Sequence, residues 1–198
     1  MTPDDLLRSV VRDAPTQLPS LGDPAIQPYL RSYREFIRCC RALRPVDSAA
    51  IVVAAGLVYS WMPTVLKLGS EADVLGAAGI VEDGGRPDAL TAAGFLTIAR
   101  AVGGSPVGAS KLLHLFHPEF YPIWDSRVWS YFGWHAAEVR EGAGERYLRY
   151  VQLATAVAGS EEFTPVHLEL ERRIGYPVSR VRALELVMFL AGRAGLEP

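Results

Sequence analysis

The amino-acid sequence predicts an all-α protein, and three observations support this prediction. Segments with the apolar periodicity of helices follow one another along almost the whole chain. Capping residues and prolines stand where these segments begin, and glycines or prolines follow where they end. Neither a β-hairpin turn nor a long alternation of apolar and polar residues is present. We therefore expect roughly eight to ten helices, in a single domain that covers residues 1–198.

Composition narrows the class of protein. The chain has 198 residues, of which 49% are hydrophobic and 21% charged, as in an ordinary globular domain with a sizeable core. The net charge of -2 argues against a protein that coats nucleic acid without specificity, although it allows a local basic face. The longest apolar run, residues 49–59, is too short to span a bilayer, so no membrane association is expected.

The N-terminal residues bear on localisation, and the spacing of the two cysteines bears on metal binding and redox motifs. The first residues lack the basic and apolar regions of a signal peptide, which favours a cytoplasmic location. Cys39 and Cys40 are adjacent, a spacing that neither a zinc knuckle nor a thioredoxin-type pair uses.

The first quarter of the chain contains two predicted helices. Thr2 is a typical N-cap with proline behind it, and a helix to about Asp13 follows. Four prolines in residues 14–28 predict an extended connector. Residues 29–44 have helical periodicity, and Pro45 closes this helix.

One face of this second helix is strongly basic. Four arginines recur on it at helical spacing: Arg31, Arg34, Arg38 and Arg41. They could bind phosphates, or they could form a solvated face that acids elsewhere partly neutralise, and the second interpretation is favoured.

The remaining helices follow from caps and breakers. Asp47 caps an apolar helix that we expect to be buried on most sides, and Asp88 is predicted to open a later one. Two loops are expected, at residues 81–87 and 138–144. Pro63 is expected to end or kink the helix that Asp47 caps. The helices are predicted at residues 47–59, 70–79, 88–102, 145–158, 161–174 and 179–194.

The stretch from Gly108 to Trp129 holds the residues with chemical potential. Lys111 stands behind three small residues at the start of an apolar helix, where its amine would be desolvated and able to act as a nucleophile. Asp125 follows a proline-containing aromatic loop and is a natural N-cap, which orients its carboxylate. Only two lysines occur among the 20 basic residues, so a lysine here suggests that an amine able to lose its proton is needed. The alternative is that Lys111 is an exposed helix charge and Asp125 only a cap.

These two segments resemble a known family. The segment Ser110-Lys111-Leu112-Leu113-His114, followed by Phe120-Tyr121-Pro122-Ile123-Trp124-Asp125-Ser126-Arg127-Val128, is similar to the helix-hairpin-helix/Gly-Pro-Asp DNA glycosylases, and to the small bacterial 8-oxoguanine DNA glycosylase-fold proteins in particular. The resemblance implies a two-lobed helical fold with the active-site cleft between lobes of about 46–134 and 1–45 plus 135–198. It also implies that Lys111 is the Schiff-base nucleophile and Asp125 its carboxylate partner.

Five further residues are candidates for substrate binding. Aromatic side chains could line a pocket for a flipped base, although most tryptophans pack in cores. An arginine just after a helix start could bind a phosphate. Small residues before Lys111 would allow close approach of a DNA backbone. The candidates are Trp61, His114, Trp124, Arg127 and Gly108.

A metal site is weighed and set aside. His114 and His117 are three residues apart with Glu119 nearby, but the sequence places no third ligand convincingly. A packing or loop hydrogen-bond role is favoured for both histidines. We expect neither a metal nor a cofactor.

The leading hypothesis is a DNA glycosylase with AP lyase activity that excises a modified, 8-oxoguanine-like purine through a Lys111 Schiff base. Its partner would be damaged or modified duplex DNA. It would be located in the cytoplasm, in association with the nucleoid. Two alternatives remain. One is a catalytically inactive relative that binds nucleic acid or a nucleotide in a bacterial defence or repair system. The other is a helical interaction module whose arginine face meets an acidic protein.

Overall fold

The computed structural model describes residues 1–62, 64–86 and 88–194, and these form eleven α-helices and no strand. The predicted all-α class is confirmed. The helices are α1 (Pro3–Gln17), α2 (Gln27–Ala42), α3 (Ser48–Tyr59), α4 (Glu71–Asp83), α5 (Ala92–Ala101), α6 (Pro106–Phe116), α7 (Ser126–Tyr131), α8 (Ala136–Glu141), α9 (Ala143–Gly159), α10 (Thr164–Ile174) and α11 (Arg180–Ala194).

The predicted connector at residues 14–28 is wrong, because most of it is helical. Helix α1 runs on to Gln17 with Pro15 inside it, and a 3₁₀ turn follows at Leu18–Gly22. Leu18 and Leu21 are buried in the core, so the apolar stripe of α1 continues past the expected end. The prolines that open the 3₁₀ turn and α2 stand in the first turn, where no backbone N–H is required.

Other boundaries shift for local reasons. The cap of α5 is Thr91, whose hydroxyl accepts from the Gly94 amide at 3.0 Å, so Asp88 does not open that helix. Helix α4 extends four residues beyond Gly79, and the expected loop at 138–144 lies mostly within α8 and α9. The expectations for Pro63 and Pro87 lie outside the described residues.

Helix α3 is buried less completely than its composition predicts. Asp47 caps it as expected, accepting from the Ala50 amide at 2.8 Å. One face is open to solvent, where Val52 and Val53 are 39% and 46% exposed. Within the described ranges, none of the helices combines the length and the apolarity needed to cross a bilayer.

The helices pack in two groups around one continuous apolar core. Helices α3 to α6 pack successively on one another, and α2 lies against α6 and α3. Helices α1, α9, α10 and α11 form the second group, with α7 on α11, and the contact of α5 with α9 joins the two groups. Helix α6 is the most enclosed, since every residue from Gly108 to Phe116 is buried.

A glycine turn sets the direction of α6. Gly103 and Gly104 both have positive φ, 71° and 76°, which glycine adopts without strain. The Gly104 amide donates to Ala99 and the Gly103 amide to Arg100, the pattern of a Schellman cap at the end of α5. Ser105 then caps α6 by accepting from the Gly108 amide at 3.0 Å.

Gly192 tests the close packing of α11 on α7. A Cβ at Gly192 would lie 2.1 Å from the carbonyl oxygen of Arg127, a distance that forces the helices apart. We expect Gly192→Ala to lower the free energy of unfolding by about 1–3 kcal/mol, measured by chemical denaturation. The control is Gly56→Ala, where a Cβ meets nothing within 4 Å. This variant should gain about 0.5–1 kcal/mol from helix propensity. Equal stability changes in both variants would contradict the described helix contact.

Candidate active site

A cleft of about 550 Å³ opens where α2 and α6 face α7 and α11. Its walls come from five segments: the start of α2, the residues after α3, the first turns of α6, the start of α7 and one face of α11. This volume suits a small organic ligand or one extruded nucleotide. Five charged side chains line it, together with aromatic and aliphatic side chains: Lys111, Asp125, Arg127, Arg182 and Glu185.

Lys111 reaches the cleft from the buried helix α6 and is only 8% exposed. No described residue gives it a hydrogen bond or an ion pair within 4.0 Å. Burial lowers the pKa of the Lys111 amine, and the charges of Asp125 and Glu185 oppose this shift without cancelling it. Its environment therefore favours the neutral, nucleophilic form of the amine more than water does.

Asp125 lies at the start of α7, as the sequence predicts, and lines the same cleft. Its Oδ1 accepts from the amides of Arg127 and Val128, at 3.1 Å each. One carboxylate oxygen is thus occupied with the cap, which fixes the orientation of the group. The structure brings Lys111 and Asp125 to one cleft, but not into an ion pair.

One hydrogen bond, between the residues that precede Lys111 and Asp125, fixes the two segments relative to each other. The hydroxyl of Ser110 accepts from the Trp124 amide at 2.9 Å and donates to the Val107 carbonyl. Ser110 precedes Lys111 and Trp124 precedes Asp125, so this buried bond couples the two elements that carry the amine and the carboxylate.

Most of the irregular segment 117–125 is buried, and hydroxyl groups satisfy several of its carbonyls. Tyr147 donates to Pro122 and Tyr150 to Ile123, at 3.1 and 3.3 Å, while Ser179 donates to Pro118. A buried loop needs such partners because its backbone has no helix to satisfy it.

Arg182 and Glu185 form a buried ion pair on α11 that the sequence analysis missed. They are 6% and 1% exposed, and Nη1 of the arginine donates to the carboxylate. Burial raises the pKa of Glu185 to about 7, although Arg182 opposes the shift and Asp125 adds to it. The available signal was two opposite charges three residues apart within the apolar run of α11.

His114 does not line the cleft but supports it from the core. It is fully buried, and burial lowers its pKa to about 3, so the ring is neutral. Its Nδ1 donates to the Tyr121 carbonyl at 2.6 Å, and its Nε2 therefore accepts from the Tyr33 hydroxyl at 2.9 Å. The Tyr33 ring in turn lies 4.6 Å from the Arg182 guanidinium, a cation–π contact. His114 thus positions residues behind the ion pair, which corrects its expected contact with substrate.

Trp61 and Arg127 line the cleft, as expected. Trp61 stacks on Phe36 at 4.9 Å and donates from its ring nitrogen to Ser32, which leaves it half-buried. The guanidinium of Arg127 lies 4.5 Å from the Phe189 ring, and no described carboxylate is within 4.0 Å of it. Its hydrogen-bond donors remain available to an anion.

Trp124 and Gly108 lie away from the cleft. Trp124 is fully buried and packs edge-on against Trp129 and Trp134, because loop 117–125 is part of the core. Gly108 is already in the first turn of α6, where a Cβ would approach Val102 at 3.1 Å, so it serves helix packing. The structure thus places both residues in the packing of the core and not in the lining of the cleft, where a contact with substrate was expected.

His117 also has a structural role. Its Nε2 bonds to the Val81 carbonyl at 2.6 Å, and Arg44 lies 3.3 Å away. Among the described residues no cluster of three metal-ligating side chains occurs.

The basic face of α2 begins close to the cleft. Tyr29 and Leu30, at the start of α2, line the cleft, and the arginines follow within the next turns. Arg38 pairs with Glu35 at 2.6 Å, whereas the other three are exposed and have no described partner. The four arginines therefore form a solvated face that is partly neutralised, at Arg38, as the favoured interpretation expects.

Comparison of the chain with family models, with curated proteins and with solved structures finds no match. The family resemblance consequently depends on the residues around Lys111 and Asp125 alone.

The buried Lys111 side chain should lower the free energy of unfolding. A buried cation with a lowered pKa destabilises the fold at every pH below its folded pKa, and the cost is relieved as pH rises towards the unfolded value. We expect Lys111→Met to raise the free energy of unfolding at pH 7, measured by urea denaturation. Lys67→Met, at an exposed position, should stay within about 0.5 kcal/mol of the parent. A destabilised Lys111→Met variant would contradict the described burial.

Proposed function

We propose that this cleft is the active site of a DNA glycosylase with AP lyase activity, in which Lys111 is the nucleophile and Asp125 the proton carrier. The observation that carries the proposal is a desolvated lysine amine that shares one cleft with an oriented carboxylate. The excised group would be a modified, 8-oxoguanine-like purine, and the enzyme would act on the nucleoid in the cytoplasm. The two-lobed helix-hairpin-helix architecture belongs to the same proposal, which the Gly103–Gly104 turn before α6 supports.

The chemistry needs no group beyond those in the cleft. The neutral Lys111 amine attacks C1′, so that the C1′–Nζ bond forms and the bond from C1′ to the base breaks. Asp125 accepts a proton from the amine and passes it on to the departing base. A second proton from nitrogen reaches the ring oxygen, which opens the sugar and gives the Schiff base. Asp125, again ionised, then accepts a C2′ proton, and the C3′–O bond breaks so that the 3′ phosphate leaves by β-elimination.

Surface charge supports a nucleic-acid substrate over an isolated nucleoside. Arg127 at the cleft and the unpaired arginines Arg31, Arg34 and Arg41 of the adjacent helix can each bind a phosphate. Because the net charge of the chain is -2, DNA is attracted to the arginine face and not to the protein surface as a whole, which suits binding at one site.

Borohydride trapping tests the nucleophile. With a duplex that carries 8-oxoguanine or an abasic site, the wild-type chain should form a covalent adduct, and Lys111→Gln should form none. The control is Lys67→Gln, because Lys67 is the only other lysine and is exposed. It should trap as well as the parent, and peptide mapping should place the adduct on Lys111 rather than on the N-terminal amine.

Two results would overturn this assignment. Equal trapping by Lys111→Gln would remove Lys111 from the chemistry. An absence of any adduct in the wild type, with salt-dependent binding of the same duplexes, would favour the catalytically inactive nucleic-acid-binding relative.

A conservative change separates capping from catalysis at Asp125. Asparagine caps helices as well as aspartate does, so Asp125→Asn should keep stability within about 0.5 kcal/mol. The trapping rate should fall by about 100-fold or more, because the proton carrier is lost. Asp47→Asn, the same change at the cap of α3, should leave the rate unchanged. A normal rate in Asp125→Asn would mean that Asp125 is only a cap.

A further inference from the structure

Two hydrogen-bonding groups at the α11 wall of the cleft have unused capacity. Arg182 binds Glu185 through Nη1, and no described residue accepts a hydrogen bond from its Nε or Nη2. The second oxygen of Glu185 likewise receives no hydrogen bond from a described residue. Both side chains line the cleft and are more than nine-tenths buried. Donors and acceptors at such depth are costly unless a partner completes their hydrogen bonds.

The packing behind the pair holds it in place. Tyr33 lies against the guanidinium, and the neutral His114 fixes the hydroxyl of Tyr33 from the other side. The Ser179 hydroxyl also accepts from the Arg182 amide at 3.0 Å, which fixes the start of α11. A binding group supported in this way is preorganised, so little entropy is lost when a ligand arrives.

The charges around the pair define what it can bind. An anion at this position would meet the carboxylates of Glu185 and Asp125, and a cation would meet Arg182 and Lys111. A neutral group that presents one acceptor beside one N–H donor satisfies both members of the pair at once. The apolar side chains of Trp61, Leu186 and Phe189 complete the cleft and suit a flat ring.

We propose that Arg182 and Glu185 bind the hydrogen-bonding edge of an unpaired heterocyclic base, with Arg182 donating to a ring acceptor and Glu185 accepting from the adjacent N–H. In a duplex this edge is occupied by the opposite strand, so only an extruded or unpaired base can be bound. This inference rests on the proposed function and adds to it the residues that select the base.

Methylated nucleosides test the contact directly. Uridine has an N–H beside a carbonyl, and 3-methyluridine lacks that N–H while keeping the ring; guanosine and 1-methylguanosine form a second such pair. Binding of each free nucleoside to the full chain is measured by ligand-observed NMR titration. We expect the methylated member of each pair to bind about ten-fold or more weakly, because a hydrogen bond to a charged group is lost.

A double variant removes the pair without leaving an isolated charge. Arg182→Met with Glu185→Leu replaces the ion pair by apolar side chains of similar volume, a change that folds usually tolerate. It should bind both members of each nucleoside pair equally. The control is Arg172→Met with Glu169→Leu, the same changes in an exposed pair of equal spacing on α10, which should keep the preference.

Glu185→Gln provides a second test if the double variant does not fold. Glutamine has nearly the shape and volume of glutamate and still offers an oxygen to Arg182, so this variant should fold. Its preference for the unmethylated nucleosides should be reduced, because a neutral amide oxygen is a weaker acceptor than a carboxylate.

Three results would overturn the inference: equal binding of uridine and 3-methyluridine by the wild type, an unchanged preference in the double variant, or an unchanged preference in Glu185→Gln. The abasic-site duplex separates this inference from the proposed function, because it contains no base at the reacting position. Trapping on that duplex without any base preference removes only the role of Arg182 and Glu185. Base preference without trapping removes only the role of Lys111.

Discussion

The enclosure of α6 is the constraint on which the site depends. Helices α2, α3 and α5 pack around it, and all residues from Gly108 to Phe116 are buried. A lysine in such a helix cannot reach bulk water as a surface lysine does, so its amine is desolvated and opens only into the cleft. Burial of the helix is thus the main cause of the lowered pKa of Lys111, and the charge of Arg182 adds to it.

The second requirement is a fixed loop. Residues 117–125 leave α6, cross the interior without regular structure and deliver Asp125 to the start of α7. Hydroxyl groups from α9 and from the residue before α11 satisfy their carbonyls, and Ser110 ties the loop back to α6. Helices from both packing groups therefore hold segment 117–125. This fixes the position of the Asp125 carboxylate relative to the Lys111 amine.

Buried charge gives the cleft its chemistry at a cost in stability. Lys111, Arg182 and Glu185 are each more than nine-tenths buried, and isolated buried charges destabilise a fold. The ion pair and the cation–π contact with Tyr33 offset part of this cost for Arg182, whereas Lys111 has no such partner among the described residues. An apolar core that runs through both helix groups can carry these penalties, which a smaller core could not.

The sequence by itself determined the helical class and the helix starts at Asp47 and Asp125, and it singled out Lys111 ahead of a proline-containing loop. These features are local, since a cap or an apolar period is decided by residues within one or two turns. The sequence did not show that most of residues 14–28 is helical, because the burial of Leu18 and Leu21 against other helices outweighs four prolines. It also assigned His114 and Trp124 to the ligand, since a buried and a ligand-facing aromatic residue look alike in a sequence.

Only the tertiary structure decided which charges meet. Arg182 and Glu185 lie 71 and 74 positions beyond Lys111 in the chain, and their polar groups reach the cleft because α11 packs across α7. Such contacts depend on how helices far apart in sequence are oriented, and no periodicity within one helix encodes that orientation. The lysine and the aspartate that caps α7 can therefore be found from neighbouring residues, whereas the other charges of the cleft are brought there by long-range packing.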